Sequence, residues 1–143
     1  AESCGLLGRV NSVKLNHDKK FAGCDIGFNV LVRPVMYDSY HGIEIYREGG
    51  DSAPDEASAA PEPVTIVGNI CESGDILAKD RLLPPVKEGD ILGVLDAGAY
   101  GFAMSSNYNN RLRPAEILIR EVVLTRKRER FEDLVKDFVE VEL

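Results

Sequence analysis

Along positions 1–126 apolar residues come in short β-branched and aliphatic runs, separated by polar or turn-forming residues, which is the spacing of strands. LLGRVNSVKL (6–15), FAGCDI (21–26), HGIEIYRE (41–48), PVTIVGNI (63–70), GDILGVLDA (89–97) and RPAEILIREVVLTR (113–126) carry the signal. NHDKK reads as a hairpin-like break after the first run, while Gly89, Asp90 and Gly98 mark turns. The pattern predicts a mainly β fold, a compact antiparallel barrel or sandwich with short helical turns. Two segments depart from it. GGDSAPDEASAAPEP (49–63) is acidic and rich in Pro, Ala and Gly, which predicts an exposed loop with nothing to bury. In the tail, Phe131, Leu134, Val135 and Phe138 recur at helical spacing and predict a C-terminal amphipathic helix over 128–139. Such a stripe needs a surface to cover, either on the same barrel or on a neighbour.

Composition narrows the class. A chain of 143 residues with 44% hydrophobic and 29% charged residues can bury a core as one domain, 1–143, without staples. A formal charge of −7 argues against a nucleic-acid surface, because binding phosphates takes clustered Lys and Arg. The one dense basic stretch, RKRER (126–130), is interrupted by Glu129 and followed by Glu132 and Asp133, so it reads as a solvated face. Three cysteines at 4, 24 and 71, without C-x-x-C spacing, suggest neither a disulfide scaffold nor a zinc site and fit a reducing compartment. No apolar run has the length to cross a bilayer, and a cytoplasmic location is expected. The chain opens on AESCG without a methionine, as a processed product or a piece of a longer protein would.

Three stretches carry unusual chemistry. In CESGD (71–75) a thiol follows an apolar run. A lone cysteine there can be a small buried hydrophobe. Glu72, Ser73 and Asp75 are costly to bury unpaired, however, which predicts an accessible rim where Cys71 could exchange a proton and Glu72 could hold a cation. In NVLVRPVMYDSYHG (29–42), Pro34 biases Arg33 away from helix, so a helical turn should begin after it. Arg33 and Tyr37 could then meet one anionic group, or form a surface arginine capped by local aromatics. His41 with Cys71 and Asp75 has no spacing that favours a metal or nucleophile set. In DAGAYGFAMSSNYNNRLRP (96–114), Gly98 and Gly101 permit a tight turn and close approach, and Tyr100 either enters a pocket or closes a hairpin.

These blocks closely resemble the carboxyl-terminal β domain of diaminopimelate decarboxylase, in the fold-type III family of pyridoxal-phosphate decarboxylases acting on basic amino acids. The resemblance rests on FAGCDIGFNVLVRPVMYDSYHGI, on CESGD followed by LAKDR, on DAGAYG, on SNYN-x-R-x-RP and on a terminal RKRERFEDL. It implies lysine biosynthesis, with meso-diaminopimelate converted to L-lysine and carbon dioxide, and pyridoxal 5'-phosphate as cofactor. The cofactor's lysine and its glycine-rich phosphate grip would sit in a separate N-terminal α/β barrel of about 250 residues, so this chain alone is expected to be inactive. By the same resemblance, Cys71 is the catalytic thiol that protonates the substrate's α carbon, and Glu72 binds the distal ammonium group. Arg33 and Tyr37 grip the distal carboxylate, and Tyr100 meets both cofactor and substrate. The cysteine would cross a homodimer interface into the partner's barrel. A related basic-amino-acid or carboxynorspermidine decarboxylase shares parts of this text, and a non-catalytic interaction module on the same fold is the reading outside enzymes.

Overall fold

The computed structural model describes residues 3–47 and 60–139. The chain divides into two compact units, Ala1–Ser105 and Ser106–Leu143. Most of the predicted acidic loop, through residue 59, lies outside the described residues, and Glu62 and Pro63 already belong to a strand.

The first unit is a curled sheet of six strands. They are β1 (Leu6–Asn16), β2 (Lys19–Cys24), β3 (Ile43–Tyr46), β4 (Glu62–Val67), β5 (Ile76–Leu83) and β6 (Ile91–Val94), in the spatial order β3-β6-β1-β2-β4-β5. The mainly β prediction holds. β1 is long enough to serve both halves of the sheet: Leu6–Arg9 pair with β6, and from Val10 onward the strand pairs with β2. Its register shifts between Val10 and Ser12, where an extra residue bends and twists the strand. Val10, Ala22, Leu31, Val64, Ile66 and Leu92, none more than 1% exposed, form the centre of the core.

One pairing breaks the antiparallel rule. β2 and β4 run parallel, Lys20–Gly23 against Val64–Val67. Parallel neighbours require a crossover, and here it contains helix α1 (Arg33–Tyr37) and β3. Both strands therefore leave the sheet at the same end and in the same direction, a fact on which the site depends.

Two elements differ from the sequence expectation. β5 has no alternating signal because Lys79, Asp80 and Arg81 occupy its middle. It pairs nonetheless, with Asp80 at φ 47° and its N–H donating to the Oγ1 of buried Thr65 at 3.1 Å. The long run 113–126 is two strands, β7 (Glu116–Leu118) and β8 (Val123–Arg126), turning at Ile119–Val122 without any Gly, Pro or Asn to announce it.

That hairpin belongs to the second unit. Ile117, Leu118, Val123 and Leu124 are all exposed, so its apolar residues face outward on both sides, although a two-stranded ribbon is marginal by itself. A polar knot ties the unit's loops together: Glu129 accepts from Asn107 Nδ2 (2.6 Å), from the Arg113 N–H (2.7 Å) and from Arg113 Nη1 (2.8 Å). Burial works to raise the Glu129 carboxyl, but these donors outweigh it and hold it below the ordinary range. The tail helix α2 covers Phe131–Val135, one turn rather than the predicted 128–139. Phe131 is 67% and Phe138 78% exposed, and short helices do not propagate without a surface beneath them.

Candidate functional site

The end of the sheet where β2 and β4 exit carries the unusual stretches. Beyond β2, the chain makes a tight turn in which Val30 N–H and Leu31 N–H both donate to Gly27 O, at 3.0 and 3.3 Å. α1 follows, beginning at Arg33 itself with Pro34 in its first turn, so the helical turn starts one residue earlier than the proline rule predicts. Pro tolerates that place because the first helical N–H groups lack intrahelical acceptors anyway. Arg33 is half-buried and Tyr37 exposed. Asp38, at φ 53°, ends the helix in the left-handed region.

Beyond β4 the chain turns through CESGD. Glu72 N–H donates to Ile70 O (2.8 Å), Asp75 N–H to Glu72 O (3.1 Å) and Ile76 N–H to Gly74 O (2.7 Å). Cys71 and Glu72 stand exposed at the tip, and Ser73 is exposed too. Asp75 corrects the rim prediction: it is 3% exposed. Its Oδ1 accepts the Phe28 N–H at 2.7 Å and its Oδ2 the Ile70 N–H at 2.8 Å, which supplies the partners that burial demands. Burial still raises the carboxyl above its ordinary value, opposed by those two N–H groups. The space exists only because two glycines meet there. A Cβ on Gly68 would stand 2.2 Å from Asp75 Oδ2 and 2.5 Å from Gly27 Cα, so the two backbones touch.

The third stretch reaches the same segment. Tyr100 is 66% exposed at φ 62°, on a turn closed by Met104 N–H donating to Tyr100 O. Gly101 is buried against Ala97 O, which a Cβ would approach to 2.2 Å, and the Leu31 Cδ1 lies 4.0 Å from that same position. The segment Gly27–Tyr37 is thus the hub: CESGD is bonded to its start and AYG packs on Leu31, just before Arg33. Arg33, Tyr37, Cys71, Glu72 and Tyr100 are carried by three segments joined at one edge of the sheet.

Some features do not enter this edge. His41 is 1% exposed and its Nδ1–H donates to Leu95 O at 2.8 Å; since a carbonyl only accepts, Nδ1 carries the proton. Among the described residues no group of three or more His, Cys, Asp and Glu could hold a metal, so His41, Cys71 and Asp75 form no metal set. A groove of about 480 Å³ lies between α1 and β5, lined in part by Pro34, Val35, Tyr40, Lys79 and Arg81. Sequence reading missed it, because the Arg81 guanidinium stacks on Tyr40, 3.6 Å from the ring centre, only once β5 is placed beside α1. The five candidate residues are not among those that line this groove.

The three thiols separate cleanly. Cys4 and Cys71 are exposed, whereas Cys24 is buried with its Sγ 3.3 Å from both Ile26 O and Val67 O, either of which its S–H can reach. Burial, helped by the charges of Asp25 and Asp75, pushes Cys24 up to about 12. Only the thiolate is alkylated. Iodoacetamide at pH 8 is therefore expected to label Cys4 and Cys71 and to spare Cys24 until the chain is denatured. Peptide mass spectrometry that found Cys24 labelled as fast as Cys4 in the folded chain would contradict this.

Known proteins share much of this chain's sequence and fold. The chain is 51% identical, over 133 residues, to the diaminopimelate decarboxylase of Methanothermobacter thermautotrophicus, a match covering 92% of this chain and 29% of that protein. The crystal structure of the Helicobacter pylori diaminopimelate decarboxylase, complexed with L-lysine, superposes with a TM-score of 0.82 at 34% identity, covering 95% of this chain and 32% of the other. The M. jannaschii diaminopimelate decarboxylase gives a TM-score of 0.81 at 38% identity, with 95% and 30% covered. The chain thus spans about a third or less of the length of these relatives. The family described as pyridoxal-dependent decarboxylase, C-terminal sheet domain, matches residues 2–98, so Arg33, Tyr37, Cys71 and Glu72 fall inside the match and Tyr100 just beyond it. With its six-stranded curled sheet and its motifs gathered at one sheet end, the chain belongs to the family of C-terminal sheet domains of pyridoxal-dependent decarboxylases.

Proposed function

We propose that this chain is the β-domain share of a diaminopimelate decarboxylase, acting with an N-terminal α/β barrel and a homodimer partner to convert meso-diaminopimelate to L-lysine and carbon dioxide. The observation that carries the reading is the convergence of an exposed thiol, an exposed carboxylate and a half-buried arginine on segments bonded to one another at one edge. That edge is incomplete as a pocket, as expected of a part that closes over another domain. The outward-facing apolar residues of the β7–β8 hairpin also favour further protein around it.

Pyridoxal phosphate, when bound, supplies the sink for the electron pair left on the α carbon. Of the residues here, Tyr100 fits it: an exposed ring and hydroxyl, held on a buried glycine, suit one side of a planar anionic group. Cys71 gives the proton to the α carbon, Glu72 holds the distal ammonium group, and Arg33 with Tyr37 holds the distal carboxylate. Arginine matters for selection because its planar fork pairs with a carboxylate through two hydrogen bonds. A substrate lacking that carboxylate leaves the guanidinium unpaired, a loss of roughly 2–5 kcal/mol. Lysine and ornithine lack it.

The test is a substrate panel on the complete protein. Carbon dioxide release from meso-diaminopimelate is expected to exceed that from lysine, ornithine or carboxynorspermidine by at least about 30-fold in kcat/KM, the lower end of that range. Preference for any of the other three would assign the chain to a related branch. Absence of release from all four, with cofactor bound, would favour a non-catalytic module.

A further inference from the structure

We propose that Asp75 is a positioning residue for the reaction: its buried carboxylate clamps the Cys71–Glu72 turn to the segment that launches Arg33, fixing proton donor and substrate grip in one relation. This rests on the functional reading above and extends it to a residue that touches no substrate. The parallel pairing of β2 and β4 delivers both segments to the same end of the sheet, but beyond Gly23 and Val67 no ladder holds them. Near the ends of the strands Cys24 Sγ lies 3.3 Å from Val67 O and Asn69 Nδ2 donates to Asp25 O at 2.7 Å, and two further contacts join the segments deeper in the site. One is the backbone contact of Gly27 with Gly68, and the other is the Asp75 carboxylate, with one oxygen on the Phe28 N–H and one on the Ile70 N–H. Phe28 leads through the Gly27–Leu31 turn to Arg33, and Ile70 directly precedes Cys71. A single carboxylate therefore spans the two arms of the site. Its own backbone carbonyl also accepts from Gly68 N–H at 2.9 Å, closing the turn on itself.

An apolar residue at position 75 would fill the volume but would remove the carboxylate acceptors of the Phe28 and Ile70 N–H groups, and would hold neither segment in a fixed direction. Asparagine keeps the size and replaces one acceptor oxygen by an NH₂ that faces an N–H, donor against donor. Asp75→Asn therefore opens one arm of the clamp. Gly27→Ala attacks the same contact with Asp75 intact, since its Cβ would stand 2.6 Å from Asp75 Oδ2 and 2.9 Å from Ile70 Cγ1.

The experiment uses both variants in the complete protein, well below their melting temperatures, with two readouts. In hydrogen exchange, peptides covering 27–31 and 69–76 are both expected to exchange at least tenfold faster, while β1 peptides stay unchanged. In kinetics on meso-diaminopimelate, kcat per folded molecule is expected to fall at least tenfold and KM to rise at least threefold. A residue that merely stabilises the fold would lower the melting temperature and leave both constants within twofold of wild type, and that result overturns the proposal. So does faster exchange confined to 69–76. A wild-type protein that fails to decarboxylate diaminopimelate defeats the functional reading instead, and the exchange measurement, which needs no turnover, still decides whether the clamp exists.

Discussion

Cys71→Ala in the complete enzyme is expected to lower kcat by about 10²–10⁴-fold, the usual contribution of a positioned proton donor or acceptor, with a much smaller change in KM. The asymmetry follows from the role. Cys71 sits exposed at the tip of its turn, beside Glu72, for which we propose the ground-state contact with the ammonium group. On the proposed role, removing the thiol removes a group that acts in the transition state, while the proposed substrate contacts remain. Cys71→Ser keeps a smaller, far weaker acid and is expected to recover little. Steady-state carbon dioxide release measures both constants. A kcat within tenfold of wild type would assign proton delivery to another group. Alkylation of Cys71 should reproduce the loss, and substrate or cofactor bound beforehand should slow it. Cys4, which has no assigned role, serves as the internal reference.

Asp90→Asn is expected to cost about 3 kcal/mol of stability, the lower end for breaking a buried ion pair. In a chain of this length that lowers the melting temperature by roughly 6–12 °C. Asp90 is 5% exposed and grips Arg47 with both oxygens, Nε to Oδ1 at 2.8 Å and Nη2 to Oδ2 at 2.9 Å. Its Oδ2 also accepts the Lys87 N–H, and Arg47 Nη2 donates to Pro85 O, so the pair fastens the 85–90 turn to the end of β3. The estimate stays at the low end because the Arg47 side chain keeps 23% of its surface and part of its hydration. Burial works to raise the Asp90 carboxyl, but the arginine's hydrogen bonds and charge, with the Lys87 N–H, outweigh it and hold it below the ordinary 3.8. A lowered folded-state value means stability that is fully present above the ordinary value and lost as pH falls through the lowered one. The gap between wild type and Asp90→Asn in denaturant titrations should therefore be constant from pH 5 to 7 and close below pH 4. A gap that widened in acid would refute the assignment.

The sequence by itself determined the class of fold and the chemistry available. Strand runs are legible as short β-branched and aliphatic runs bounded by turn residues: Val10, Ala22, Val64, Ile66, Leu92 and Val94 all lie in predicted strands and in the core. The motifs around Arg33, Cys71 and Tyr100 were legible as text because such residue types, at costly positions, stand out against ordinary core and surface. What periodicity does not encode is pairing between distant segments. β5 was invisible because its middle is charged, and its place was decided by β4 alongside it and Thr65 beneath Asp80. The tail stripe promised a long helix, but among the described residues Phe131 and Phe138 stand exposed and only one turn forms. Asp75 read as a solvated rim carboxylate, since a lone sequence position shows its charge and not its partners. Only the parallel exit of β2 and β4 brings Gly27 against Gly68 and turns that charge inward onto two N–H groups. Tertiary structure thus decided which polar residue is a support and which are presented, because burial of a charge is settled by the donors that long-range packing delivers to it.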